Sequence, residues 1–168
     1  MIKKLQKSSP IFSIRRIIKD DYPKLKPKII ERWGSTVIIT KGRGRDVIGL
    51  EGFIAETGNQ VGGYIFFEFI NNEIEITLLD SFRMKVGIGT ALVKEVIELA
   101  KKRGVKRLSV ITTNGNIYAI QFYQKIGFDI FAIHRNIVLE KKKQKPEIGL
   151  IGYKGIPVRH EIEFEYLL

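Results

Sequence analysis

The sequence predicts an α/β domain on a mixed, mostly antiparallel sheet. Three observations point there. Strand-like segments alternate with tight turns up to Asp80, the spacing of apolar residues becomes helical just after it, and a strand, helix, strand, helix, strand succession follows. With 168 residues and 44% hydrophobic content, the chain is sized for one core.

Residues 1–10 (MIKKLQKSSP) carry lysines with no apolar run behind them, so a flexible N-terminal segment without a secretory signal is expected, with the domain spanning 11–168. Residues 11–18 (IFSIRRII) suggest a first strand, and 20–34 a helical segment interrupted by Pro23 and Pro27 and ended by Gly34. Residues 35–42 (STVIITKG) are β-branched enough for a strand, whereas 42–52 (GRGRDVIGLEG) resemble a mobile basic loop. The stretch GFIAETGNQVGGYIFFEFI reads as two strands around a turn at 57–60, and Asn71-Asn72 leads into a third strand over 73–80.

Beyond Asp80, Ile88, Leu92, Val96 and Leu99 recur at helical spacing until Gly104. Residues 105–113 form a strand, 116–126 a second amphipathic helix stopped at Gly127, and 128–137 another strand. A crossover helix of that length joins parallel strands, so the later part of the sheet should be partly parallel. The run KKKQK at 141–145 reads as a solvated helix end broken by Pro146, and the alternation in 161–166 as a final strand.

The chain has no cysteine and two histidines, His134 and His160, which excludes thiolate chemistry and cysteine-ligated zinc and leaves too few ligands for most metal sites. A formal charge of +11 favours anionic partners. It would suit a nucleic-acid-binding module, but no aromatic-rich strand motif or helix-turn-helix pattern accompanies it. No apolar run is long enough for a membrane span, and a cytoplasmic protein is expected.

Chemistry concentrates in RMKVGIGTALVKEV, residues 83–96. A glycine turn entering a helix leaves backbone N–H groups and a partial positive charge open to a phosphate. No Gly-Lys-Ser/Thr follows, and Leu92 stands where a dinucleotide fingerprint needs its third glycine. One strand later comes NIYAIQFYQKIGF, residues 116–128.

Together these segments resemble the GCN5-related N-acetyltransferase (GNAT) family. Its later helix reads Asn-x-x-Ala-x-x-Phe/Leu-Tyr-x-Lys-x-Gly-Phe, and Asn116, Ala119, Phe122, Tyr123, Lys125, Gly127 and Phe128 fill every position. In the glycine loop Gly87 and Gly89 are in place, while Met84 stands where Gln or Arg is usual, flanked by Arg83 and Lys85. The segments ERWGS, TTNGN and GIPVRHEIEFE extend the likeness to a poorly characterised bacterial subgroup.

The resemblance implies a single GNAT-like domain with helices on both faces of the sheet and a splayed parallel strand pair. It implies acetyl transfer from acetyl-CoA, as cosubstrate and without a metal, to a primary amine of a small molecule or protein, by direct attack on the thioester. It leaves room for a homodimer and for a catalytically silent acetyl-CoA sensor. Lys85, Val86, Gly87, Ile88, Gly89 and Thr90 would give N–H groups to the pyrophosphate, with charge added by Lys85 and Lys125. The pantetheine arm would pair along 78–81, including Leu78, and the N–H of Leu79 would polarise the carbonyl. Asn116 would bond the pantetheine region or cap its helix. Tyr123 matches the tyrosine that protonates the departing thiolate.

A lysine-like amine is mostly protonated at neutral pH, so a carboxylate is a reasonable proton acceptor. Glu73 and Glu75, two apart on the strand before the loop, face one side. Glu73 falls where some family members carry their base, and Glu75 one pleat closer to the acetyl group; either also reads as a solvated strand glutamate. Asp80 is expected to order the turn into the loop. Arg32 and Trp33 resemble substrate-side residues, with core packing the simpler reading of Trp33, and His134 is expected to satisfy a strand hydrogen bond.

Overall fold

The alternating stretch after residue 50 folds into an antiparallel meander: β4 (Glu51–Thr57), β5 (Gln60–Ile70) and β6 (Glu73–Ser81). Asn71 and Asn72 make the second turn with φ of 47° and 68°, a left-handed conformation that asparagine tolerates better than most residues. The computed structural model describes residues 12–83 and 86–168. The expected flexible segment 1–10 and Lys85 lie outside them.

β1 (Ser13–Arg16) pairs with β4. After β6 come α2 (Ile88–Lys102), β7 (Arg107–Thr113), α3 (Ile117–Lys125), β8 (Asp129–His134) and, at the end of the chain, β9 (Glu161–Leu167). The sheet order is β1-β4-β5-β6-β7-β9-β8. Among the described residues only β6 and β7 pair in parallel. The last strand inserts between β7 and β8, so the two strands that α3 connects run in one direction without touching.

Both faces of the sheet are covered. Leu92, Val96 and Ala100 of α2 and Tyr123 of α3 bury one face with Phe67, Ile76 and Phe164. Against the other lies α1 (Tyr22–Trp33), whose Leu25 and Ile29 meet Ile54, Phe66 and Leu78. α1 is continuous, contrary to the interruption expected. Pro23 sits in the first turn, where a missing N–H costs nothing, and Pro27 leaves unbonded only the carbonyl of Pro23.

The basic stretch expected to be a mobile loop contains a strand. β2 (Val37–Thr40) and β3 (Arg43–Asp46) form a hairpin through Lys41 and Gly42, with φ of 48° and 74°. What orders it is Arg45, a buried cation paired with both Glu68 and Glu75. The strand expected over 128–137 ends at His134, because Asn136 turns left-handed at φ 59° and starts α4 (Ile137–Gln144). In α4 the lysine run is not uniformly solvated: Lys141 is buried and its Nζ lies 2.5 Å from Glu161.

β1 is tied to the start of α1 through Asp21. Arg15 donates both terminal nitrogens to its carboxylate at 2.7 Å, and the N–H of Ile18 adds a bond of 2.9 Å. The guanidinium outweighs desolvation and holds the Asp21 carboxyl well below its ordinary range. A depressed carboxyl contributes stability in full above its unfolded value, about 3.8, and loses it as pH falls toward the folded value. Asp21→Asn should therefore cost about 1–2 kcal/mol at pH 7 and flatten the acid limb of a urea-midpoint titration. An acid limb of unchanged slope in the variant would contradict this assignment.

Candidate active site

β6 and β7 stay together for only three residue pairs, Ile74 with Leu108, Glu75 with Ser109 and Ile76 with Val110. Across β6, Phe67 faces Ile76 while Phe66 faces Leu78, which leaves Thr77 as an extra residue. Such a bulge bends its strand. Past it, among the described residues, β6 has no partner on its β7 side. The gap is a cavity of about 180 Å³.

Its apolar walls come from Ile38 and Ile39 of the hairpin, Leu78 and Leu79 of β6, and Val110 and Ile111 of β7. α3 closes one side with Ala119 and Tyr123, and its cap residue Asn116 stands at the rim. The Asn116 side chain accepts the N–H of Ala119 at 3.2 Å and so caps its helix, one of the two roles expected of it. Tyr123 is locked by Phe122, Phe128 and Phe164, with ring centroids 5.2, 5.6 and 5.8 Å away. Burial pushes its phenol up. Among the described residues its hydroxyl has no hydrogen-bond partner.

The glycine loop meets the same helix. Gly87, at φ 86°, is the N-cap of α2 and brings no capping side chain. The first intrahelical bond runs from Ala91 N–H to the Gly87 carbonyl at 2.9 Å, so the amides of Ile88, Gly89 and Thr90 precede the ladder. Among the described residues, a Cβ at Gly87 would meet nothing within 4 Å. Gly89 packs on Phe122, whose ring would lie 3.4 Å from an added Cβ. The two glycines thus differ: one leaves an approach open, the other seats α2 on α3. The side chain of Ile88 goes into the core, Val86 is half-buried in the loop, and Lys125 is exposed at the far end of α3.

The strand carboxylates lie elsewhere. Glu73 accepts from Arg107 Nη1 at 2.6 Å, and Glu75 from Arg45 Nη1 at 2.7 Å; neither lines the cavity. Both glutamates are tied up by arginines that long-range folding brings over them. Glu75 is nevertheless one group removed from the cavity, because Thr40, on its wall, donates to Glu75 at 3.2 Å. The carboxylate on the wall itself is Glu161, which also takes the Lys41 N–H at 2.9 Å.

Asp80 is a hub rather than only a turn former. It accepts from the Ser81 amide at 2.9 Å, from the Trp33 indole and the Tyr64 hydroxyl at 3.3 Å each, and pairs with Arg32 Nε at 2.5 Å. Burial and the nearby Asp80 push the Tyr64 phenol up. Held this way, Trp33 stands 39% exposed on the cavity wall and is not packed in the core as expected. His134 lies 2.8 Å from Glu163 across the sheet, consistent with the strand role expected of it.

Thr77, Lys141 and Glu161 were not singled out by sequence reasoning. A bulge leaves no mark in a single strand's sequence, and Glu161 sits at a polar position of an alternating strand, which reads as solvent-facing. Among the described residues no group of three or more His, Asp or Glu is placed to hold a metal ion.

The sequence profile of the acetyltransferase (GNAT) family matches residues 13–128. The uncharacterised protein YxbD of Bacillus subtilis is 36% identical over 133 residues, covering 79% of this chain and 84% of that protein. An IAA acetyltransferase from Bacillus cereus superposes with a TM-score of 0.71 at 24% identity, over 94% of this chain and 99% of the other. A Bacillus subtilis acetyltransferase solved in complex with CoA gives a TM-score of 0.66 at 22% identity, over 94% and 97% of the two chains.

Trp33 is the single tryptophan, so its placement by Asp80 can be read directly. Asp80→Asn keeps the shape but removes the charge facing Arg32. It should lower stability by about 1–3 kcal/mol and make Trp33 emission more accessible to acrylamide. Unchanged quenching would mean that packing alone holds the indole.

Proposed function

Because this chain belongs to the acetyltransferase (GNAT) family, we propose that it moves an acetyl group from acetyl-CoA to the primary amine of a small acceptor in the cavity between β6 and β7. The observation that carries this reading is the Tyr123 hydroxyl. The residue is buried and held by three aromatic rings on the wall of the opening that separates β6 from β7, and its hydroxyl has no protein partner among the described residues. A core tyrosine kept only for packing would ordinarily find a carbonyl.

The residues present fit acetyl-CoA. The amides that precede the helical ladder at the start of α2, and a Gly87 that no side chain among the described residues crowds, suit a pyrophosphate. The unpaired edge of β6 beyond the bulge offers backbone groups to the amide-containing arm, and a related fold was solved with CoA. Val86, Ile88, Gly89 and Thr90 would contribute through the loop and first turn, Leu78 and Leu79 through the strand edge, and Ala119, Phe122, Asn116 and Lys125 through α3.

Acetyl-CoA supplies an activated thioester. The β6 edge at Leu79 orients and polarises its carbonyl, and the apolar walls keep water from competing for it. The amine nitrogen forms a bond to the carbonyl carbon while the carbon–sulfur bond breaks. One amine proton leaves toward the carboxylate side of the cavity, where Glu161 stands directly and Glu75 is reached through Thr40. Tyr123 gives its proton to the departing thiolate, so the products are the acetylated amine and free CoA thiol. Glu73, held by Arg107 outside the cavity, serves the sheet. We place the reaction in the cytoplasm; no helix among the described residues is long and apolar enough to cross a membrane.

Tyr123→Phe removes one oxygen and little packing. Turnover, read as free thiol under conditions where chemistry limits the rate, should fall about 10- to 1,000-fold. Acetyl-CoA affinity by calorimetry should stay near wild type. Turnover within about twofold of wild type would make Tyr123 structural. Acetyl-CoA binding without thiol release for any amine would instead support a silent sensor.

A further inference from the structure

The β6–β7 cavity does not end at its own walls. A second recess of about 420 Å³ adjoins it, and Trp33, Ile38, Ile39, Thr113 and Lys141 line both. Leu79 and Tyr123, where the reaction is placed above, border the first space and not the second. An acceptor whose amine reaches Tyr123 therefore finds room for the rest of itself in the recess.

The recess is apolar where it is not already paired. To Ile38 and Ile39 it adds Val138 of α4 and Ile148. Trp33 is a large apolar side chain left exposed there, and Asp80 accepts from its indole nitrogen at 3.3 Å, which fixes the ring where a ligand would meet it. A ring laid against such a wall gains from aromatic contact as well as from buried apolar area.

The charged side chains on the recess, among the described residues, are Arg32, Lys141 and Lys145 against Glu147. Arg32 is engaged by Asp80, Lys141 by Glu161, and the Lys145 ammonium donates to the carbonyls of Trp33 and Val37 at 2.9 and 3.3 Å. Cations with partners in place offer little to a ligand carboxylate. Three of them facing one carboxylate oppose a second ligand ammonium.

We propose that the acceptor is a monoamine with an apolar, ring-bearing body, and that Trp33 and Ile148 bind this body in the recess while the amine enters the β6–β7 cavity. This rests on the acetyl-transfer reading above and deepens it. A polar acceptor would set hydroxyl or carboxylate groups against Ile38, Val138 and Ile148, where their lost hydration goes uncompensated. A polyamine would bring further ammonium groups beside Lys141 and Lys145. An arylalkyl amine meets neither obstacle, and its one ammonium has the carboxylate side of the cavity to enter.

The test is an acceptor panel with the full-length protein and acetyl-CoA. Benzylamine and phenethylamine are compared with propylamine and ethanolamine, with phenylalanine, with putrescine and spermidine, and with a short peptide carrying a free N-terminus. The arylalkyl amines should exceed every other class in kcat/KM by about 10-fold or more. Trp33→Ala should lower the ratio of phenethylamine to propylamine severalfold. Because that variant can loosen the end of α1, Ile148→Ser is made alongside it and should lower the same ratio. Trp33 is also the single tryptophan, so phenethylamine added to the wild-type protein with CoA should reduce acrylamide quenching of its emission. Equal or better turnover of propylamine, ethanolamine, phenylalanine, a polyamine or the peptide would overturn the proposal while leaving acetyl transfer intact. Unchanged quenching at saturating phenethylamine would overturn it too, as would bound acetyl-CoA with no panel member acetylated. Failure to bind acetyl-CoA would overturn the proposed function and this inference with it.

Discussion

The parting of β6 from β7 is the constraint on which the rest of the structure depends. A sheet that closed this pair would satisfy more backbone groups and leave no cavity. The bulge at Thr77 prevents closure, and it cannot slide, because Phe66 and Phe67 of β5 are buried in opposite cores and a slip of one residue would exchange them. Farther along, Gly63 lets the two strands approach so closely that a Cβ there would lie 2.6 Å from the Asp80 carbonyl. β7 is held from its other side by β9 along its whole length, from Arg107 opposite Leu167 to Thr113 opposite Glu161. The opening therefore has firm walls, and α3 sets Tyr123 into it.

A second consequence concerns charge. The chain is strongly basic, yet the face of the sheet under the hairpin gathers Glu68, Glu73, Glu75, Glu161 and Glu163. Each meets a cation from a distant segment: Arg45 from the hairpin, Arg107 from β7, Lys141 from α4. Desolvating such groups is costly, and replacing these pairs with apolar residues would often be neutral for stability. What they supply is position. Arg45 fixes the hairpin that makes one wall of the cavity, and Lys141 fixes α4 against β9.

Much of this was legible in the sequence for local reasons. The meander up to β6, the helix after the glycine loop and the terminal strand follow from periodicity and turn residues. The pattern from Asn116 to Phe128 identified α3, its cap and Tyr123. Features that depend on pairing were not legible. The hairpin strand β3 has almost no apolar residues and is ordered by Arg45 reaching glutamates far along the chain. The order β7-β9-β8 depends on a C-terminal strand returning to the middle of the sheet. Lys141 looked like one solvated lysine among several because its partner lies 20 residues on. Glu73 and Glu75 were correctly placed on their strand, but the arginines that engage them come from β7 and β3.

A crystal structure of the protein with CoA is the most direct measurement of whether the β6–β7 opening is the catalytic centre. The pyrophosphate should lie against the amides of Gly87, Ile88, Gly89 and Thr90, the arm along β6 beyond Thr77, and the sulfur within hydrogen-bonding reach of the Tyr123 hydroxyl. CoA bound away from the opening, or a sulfur remote from Tyr123 with the arm off the β6 edge, would contradict that assignment.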